Sequence, residues 1–131
     1  MRNIIHQTII LPASAETLFG MYMDPSQHNA IIGAVVEIGE ERGSNFQAFD
    51  GELTGTILEV IKPRLIIKSW RSSAFKTGDP DSTLILSFTP KGDEGQIDLI
   101  HLDVPDHDYD GVAQGWEKYY WEPWRAYLES I

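Results

Sequence analysis

Apolar positions along this chain change period twice, and the changes divide it into elements. Residues 3–11 are rich in β-branched side chains and run into Leu11-Pro12, the pattern of a first strand. Ser14 stands before Ala15-Glu16-Thr17-Leu18-Phe19 as an N-cap, which predicts a short helix to about Met23. Asp24-Pro25 repeats the device, with Asp as cap and Pro at the first helical position. It starts a second short helix that Gly33 ends after Ile32. Strands follow at Val35–Glu40, Asn45–Phe49, Leu53–Lys62, Leu65–Arg71, Thr83–Pro90 and Gln96–Val104. The turns between them carry Gly43, Asp50-Gly51, Lys62-Pro63, Gly78-Asp79-Pro80 and Gly92-Asp93-Glu94-Gly95, and their shortness favours antiparallel hairpins. Leu84, Leu86 and Phe88 share one face of their strand, as Ile97, Leu99 and His101 do on the next.

The last segment, Gly111–Ile131, takes a helical period. At about 100° per residue, Val112, Trp116, Tyr119, Tyr120, Pro123, Tyr127 and Ile131 share one arc, which Trp121, Trp124 and Leu128 widen. Lys118, Glu122, Arg125 and Glu129 lie opposite, so the segment reads as an amphipathic helix of about 20 residues, roughly 30 Å long. Pro123 should kink it or leave one carbonyl unbonded. One strand, two short helices, six antiparallel strands and a long aromatic helix make an α+β domain. The helix lies across the sheet because only the sheet can cover its arc.

A length of 131 residues suits one domain, residues 1–131, and 42% hydrophobic with 23% charged residues excludes a disordered chain. The absence of cysteine removes disulfides, thiolate catalysis and sulfur-ligated zinc, and it permits a cytoplasmic location. No apolar run approaches the ~18 residues of a membrane span, and the first residues do not read as a signal peptide. Ten Lys and Arg against 20 Asp and Glu give a net charge of −10, which makes nucleic acid and acidic membranes poor partners. Seven of the carboxylates fall between Asp93 and Asp110 with no Lys or Arg among them. This stretch is either a solvated rim or an acidic face for a basic protein surface.

The order of elements resembles the helix-grip, or START-like (SRPBCC), superfamily. The resemblance tightens over Phe49-Asp50-Gly51, Thr54-Gly55-Thr56, Lys68-Ser69-Trp70-Arg71, Ser82-Thr83-Leu84-Ile85-Leu86-Ser87-Phe88, Val104-Pro105 and Gly115-Trp116-Glu117-Lys118-Tyr119-Tyr120-Trp121. In this order and spacing they look like the C-terminal domain of the activator of heat-shock protein 90 ATPase, over nearly the whole chain. Asp103 departs from that pattern, standing where a Gly usually precedes Val-Pro. The resemblance implies a curved antiparallel sheet gripped by the long helix, and functions ranging from lipid, polyketide and steroid binding through cyclisation to assisting proteins in the stress response. At 131 residues the chain is expected to lack the separate N-terminal domain of eukaryotic activators.

A helix gripping a curved sheet tends to leave an apolar cleft between the layers. Trp116, Tyr120 and Trp124 from the helix, Phe49, Leu86, Phe88 and His101 from the sheet, and Met21 and Met23 from the first short helix are the candidate lining. Each of them could equally be core. His101 with Asp103 could form an acid–base pair on one strand face, although no nucleophile spacing accompanies it. The alternative is structural hydrogen bonding. Arg71 either anchors an anionic group in the cleft or remains a surface charge. Asp106, Asp108, Asp110, Gly111 and Glu117 fit the spacing of a calcium loop. The strand-closing Val104-Pro105 and Ala113 at the eighth position argue against it, so no metal and no cofactor are expected, and Asp108 or Asp110 is read as a helix cap. The leading expectation is a non-enzymatic domain, monomeric or homodimeric, holding a small hydrophobic molecule. The alternatives are a chaperone-associated interaction module with an acidic rim, and a cyclase- or hydrolase-like enzyme.

Overall fold

A computed structural model describes residues 3–131; Met1 and Arg2, where the leader reading begins, lie outside the described residues. Strand β1 (Ile4–Leu11) is followed by α1 (Ala15–Met23) and α2 (Pro25–Ile32), then by β2 (Val36–Ile38), β3 (Asn45–Ala48), β4 (Leu53–Ile61), β5 (Leu65–Ser72), β6 (Ser82–Lys91) and β7 (Glu94–Leu102). Both predicted caps form. The Ser14 hydroxyl accepts from the Thr17 amide at 3.1 Å, and the Asp24 carboxylate accepts from the Ser26 amide at 2.8 Å. Gly33 ends α2 in the left-handed conformation with φ 72°.

The seven strands form one antiparallel sheet in the order β1-β7-β6-β5-β4-β3-β2. Its register lines up Ile5, His101, Leu84, Lys68 and Ile57 as a continuous row across five strands. Every member of that row is buried, so the row marks the face turned to the core. Leu58 makes a bulge in β4, where the pairing shifts between Ile57 and Glu59. The acidic stretch is divided by this topology. Asp93 and Glu94 sit at one end of β7 and Asp103–Asp110 beyond the other, separated by a strand of roughly 3.3 Å per residue, so they do not form one rim.

The C-terminal helix opens with a 3-10 turn (Asp106–Asp108) and continues as α3 (Tyr109–Trp116), a π-helical turn (Glu117–Trp121) and α4 (Glu122–Ser130). No side chain caps α3, contrary to the reading of Asp108 or Asp110 as cap; the 3-10 turn leads into the helix directly. Pro123 lacks an N–H and would crowd the carbonyl four residues back, and the widened turn accommodates it with a bond from the Glu122 amide to the Glu117 carbonyl. The inserted residue also rotates the downstream face. Trp121 and Trp124 become buried, while Ile131, placed on the arc by a uniform period, faces solvent, and Tyr119, within the widened turn, is half-exposed.

Polar bonds fix the helix along β1. Gln7 donates to the Ala113 carbonyl at 2.9 Å and accepts from the Trp121 indole at 2.8 Å, and Arg125 donates to the Ile10 carbonyl at 2.9 Å. No helix among the described residues is long and apolar enough to cross a membrane.

Lys68 is the unusual member of the core. It is fully buried, its amine nitrogen has no hydrogen-bond partner among the described residues, and that nitrogen lies 3.1 Å from the Phe46 ring centroid and 4.9 Å from that of Tyr22. A desolvated cation–π contact contributes about 2 kcal/mol. Burying an unpaired ion costs several. Desolvation therefore wins and pulls the Lys68 pKa well below that of a free lysine. Because the folded value lies below the unfolded one, the unfolded chain holds the extra proton, and this group's contribution to stability rises with pH up to about 10. Lys68→Met, which keeps the length and removes the amine, is expected to raise the melting temperature at pH 7 by ~5 °C or more. The gain should shrink between pH 7 and 9.5 in thermal melts, and a lowered melting temperature at pH 7 would show that the amine stabilises the core.

Candidate functional site: an aromatic cleft beside the C-terminal helix

Between the C-terminal helix and the ends of β4 and β5 lies a cleft of about 330 Å³. Its sheet side is built by Phe49 in the β3–β4 turn, Glu52 and Leu53 where β4 starts, and Trp70 and Ser72 at the end of β5. The helix contributes Asp108, Val112, Trp116, Tyr119 and Tyr120, with Gly111 and Gly115 one turn apart on the same face. A Cβ at Gly111 would press on Asp108 Oδ1 at 3.2 Å, so the glycine there leaves room for that carboxylate. A Cβ at Gly115 would meet only the Tyr119 ring, at 3.6 Å, and any larger side chain there would extend into the cleft. Glycine inside a helix costs about 1 kcal/mol relative to alanine, so α3 is weaker for having two.

Phe49 reaches the cleft from a strained turn. Phe49, Asp50 and Gly51 all have positive φ, at 54°, 56° and 83°, and the Phe49 ring meets the edge of Tyr119 at 5.9 Å. An aromatic residue is rarely found in this conformation.

The opposite rim is the β5–β6 loop. Arg71 projects from the outer face of β5 and holds that loop, donating to the carbonyls of Asp79 at 2.6 Å and Lys76 at 2.7 Å and pairing with Asp81 at 3.2 Å. It is thus a loop staple rather than an anchor within the cleft. Inside the loop, Phe75 packs on Trp70 at 5.8 Å. Asp79 accepts from the Lys76 amide at 2.7 Å and meets His107 at 3.0 Å, which ties the loop to the start of the helix. The bond to His107, followed by that to the Lys76 amide, draws the Asp79 carboxyl below its ordinary pKa.

Behind the cleft wall, a hydrogen-bond chain crosses the core. The Trp116 indole N–H donates to His101 Nδ1 at 3.2 Å, His101 Nε2 lies 2.8 Å from the Ser82 hydroxyl, and that hydroxyl donates to the Trp70 carbonyl at 2.7 Å. An indole can only donate, so Nδ1 is the acceptor and the proton sits on Nε2. Burial, with Lys68 adding to it, pushes the His101 pKa down to about 3. The strand face does not continue to Asp103, whose backbone turns left-handed with φ 64°, and Ser82 and Trp116 occupy the two ring nitrogens in place of a dyad. That φ also accounts for the glycine expected at this position.

His28 is arranged in the opposite tautomer. Its Nδ1 lies 2.8 Å from the Tyr22 carbonyl, a pure acceptor, so Nδ1 carries the proton and Nε2 accepts from the Tyr120 hydroxyl at 3.0 Å. Desolvation, with Lys68 adding to it, lowers its pKa to about 3, and burial raises that of Tyr120.

Of the candidate lining, Phe49, Trp116 and Tyr120 meet at the cleft. Met21, Leu86, Phe88 and Trp124 fill the core, Phe88 against the edge of Phe19 at 5.4 Å and Trp124 stacked on Trp121 at 6.4 Å. His101 lies one layer behind Trp116. Met23 borders a separate surface depression of about 680 Å³ whose lining also includes Phe19, Ile38, Glu16 and the Glu40–Lys62 pair at 2.7 Å. Sequence reasoning missed Trp70, Tyr119, Gly111 and Gly115. Two glycines four residues apart in an otherwise aromatic helix were the available signal. No group of three acidic or histidine side chains among the described residues is placed to hold a metal ion. In the loop with calcium-like spacing, Asp106 bonds to the Asn3 amide and Asp108 faces the cleft.

The family described as Activator of Hsp90 ATPase homolog 1-like protein matches this chain over residues 12–129. The human activator of 90 kDa heat shock protein ATPase homolog 1 is 25% identical over 109 residues, which are 83% of this chain and 32% of that protein. The mouse activator homolog 2 is 25% identical over 125 residues, 95% of this chain and 38% of that protein. The chain thus spans about a third of the length of these curated relatives. Among solved structures, an HSP90 activator from Plasmodium falciparum superposes with a TM-score of 0.87 at 21% identity, over 96% of both chains. CalU16 from Micromonospora echinospora gives a TM-score of 0.75 at 25% identity, over 97% of this chain and 73% of that one. The Plasmodium likeness carries the fold alone, a seven-stranded antiparallel helix grip with two short helices and one long one. With the family match running through nearly every element of that fold, the chain belongs to the Activator of Hsp90 ATPase homolog 1-like family.

Proposed function

We propose that this domain binds a small hydrophobic molecule in the cleft between its C-terminal helix and the ends of β4 and β5, without transforming it. The observation that carries this reading is an aromatic-walled space of about 330 Å³, within the range of small-molecule sites, with Gly111 and Gly115 in its helix wall. The buried histidines His28 and His101 support it, since each is neutral and bonded through both ring nitrogens. A neutral aromatic probe such as N-phenyl-1-naphthylamine should bind saturably, with enhanced fluorescence and quenching of tryptophan emission from Trp70 and Trp116. Gly115→Leu should abolish that binding and leave the circular dichroism spectrum intact. Absence of saturable binding, or undiminished binding by Gly115→Leu, would overturn the reading.

A second reading rests on the family itself: the domain assists a heat-shock protein 90 chaperone. The relatives are activators of that ATPase, and a charge of −10 suits a basic partner surface. Adding the domain to a cognate chaperone should then raise ATP turnover in a salt-sensitive manner. Unchanged turnover at a large excess of the domain would count against it.

The neutral histidines also set a pH signature. The folded values of His28 and His101, about 3, lie below the ordinary 6.5, so the unfolded chain binds the extra protons and stability falls as pH drops below 6.5. Between pH 6 and 5, unfolding should take up close to two protons from these residues. The slope of unfolding free energy against pH, measured by urea titration, should fall by about one proton's worth, roughly 1.2 kcal/mol per pH unit, in His101→Gln over that interval.

A further inference from the structure

We infer that the occupant of this cleft is an organic cation, an apolar body carrying a protonated amine or quaternary ammonium group. The inference rests on the ligand-binding reading above and assigns the chemical class. Two carboxylates, Glu52 and Asp108, stand in the cleft wall from opposite sides, one at the start of β4 and one at the start of the helix. Among the described residues neither has an ion-pair partner, and neither side chain receives a hydrogen bond. Among the described residues no Lys, Arg or His lines the cleft.

Three basic side chains of the adjoining elements are engaged elsewhere. Arg71 is bonded to the β5–β6 loop and to Asp81, His107 meets Asp79, and Lys118 lies out on the helix with its ammonium 5.2 Å from the Tyr119 ring centroid. The rest of the wall includes Trp70, Trp116, Tyr119 and Tyr120, aromatic side chains whose ring faces attract positive charge. An anionic guest would meet two like charges with no cation to offset them. A neutral guest would gain apolar burial and nothing from the carboxylates.

The test uses three ligands of one shape and different charge, 1-naphthylmethylamine, 1-naphthalenemethanol and 1-naphthoate, titrated against the protein by tryptophan quenching and calorimetry. The protonated amine is expected to bind about tenfold tighter than the alcohol, with the carboxylate weakest. The ratio of amine to alcohol affinity should fall towards one at high salt and in the double variant Glu52→Gln, Asp108→Asn. Equal affinities for amine and alcohol in the native protein would overturn the cation assignment and leave the cleft as a binding site, and a preference undiminished in the double variant would overturn the part given to the two carboxylates. Failure of all three ligands to bind would overturn the cleft reading, and the cation assignment with it.

Discussion

A buried imidazole must satisfy both nitrogens, and the way His101 does so sets the position of nearly everything around the cleft. The chain from Trp116 through His101 and Ser82 to the Trp70 carbonyl joins the helix, β7, β6 and the backbone of β5. Each bond fixes the direction of the next, because the indole can only donate and the carbonyl can only accept. An aromatic helix laid on an aliphatic sheet could otherwise slide by a turn with little change in buried area. The polar chain selects one seating, and with it the faces that Trp70 and Trp116 turn towards the cleft. Networks of this kind contribute more to uniqueness than to net stability.

The cleft follows from an imbalance along the helix. Its C-terminal part fills the core with Trp121 and Trp124, while α3 presents Gly111 and Gly115 to the sheet. The π-helical turn separates the two regimes. It absorbs Pro123 and rotates the aromatic face, so the same helix can be closely packed at one end and open at the other.

Most of the fold is legible in the sequence because its punctuation is chemical. The N-caps at Ser14 and Asp24, the Pro at the first turn of α2 and the Gly-bearing turns each have a local reason, and the strands they bound fall within one or two residues of expectation. What was hidden depends on phase. Leu65, Ile66 and Ile67 are apolar at both parities, so β5 did not reveal that Lys68 and Trp70 face inward and Arg71 outward. A uniform helical period could not anticipate the residue inserted by the π-helical turn. Nor does alternation warn that Asp103 leaves its strand through a left-handed backbone. The cleft itself is made by missing side chains, which a search for large apolar residues passes over.

The turn at Phe49 has a meaning for how this site tolerates change. A non-glycine residue at φ 54° carries a backbone penalty of about 1 kcal/mol, which a glycine at the same position would relieve. Phe49 therefore holds its place for what its ring does beside Tyr119, at the expense of the turn that carries it. Selection for thermostability alone would drift towards glycine here, producing a sturdier domain with one wall of its cleft removed.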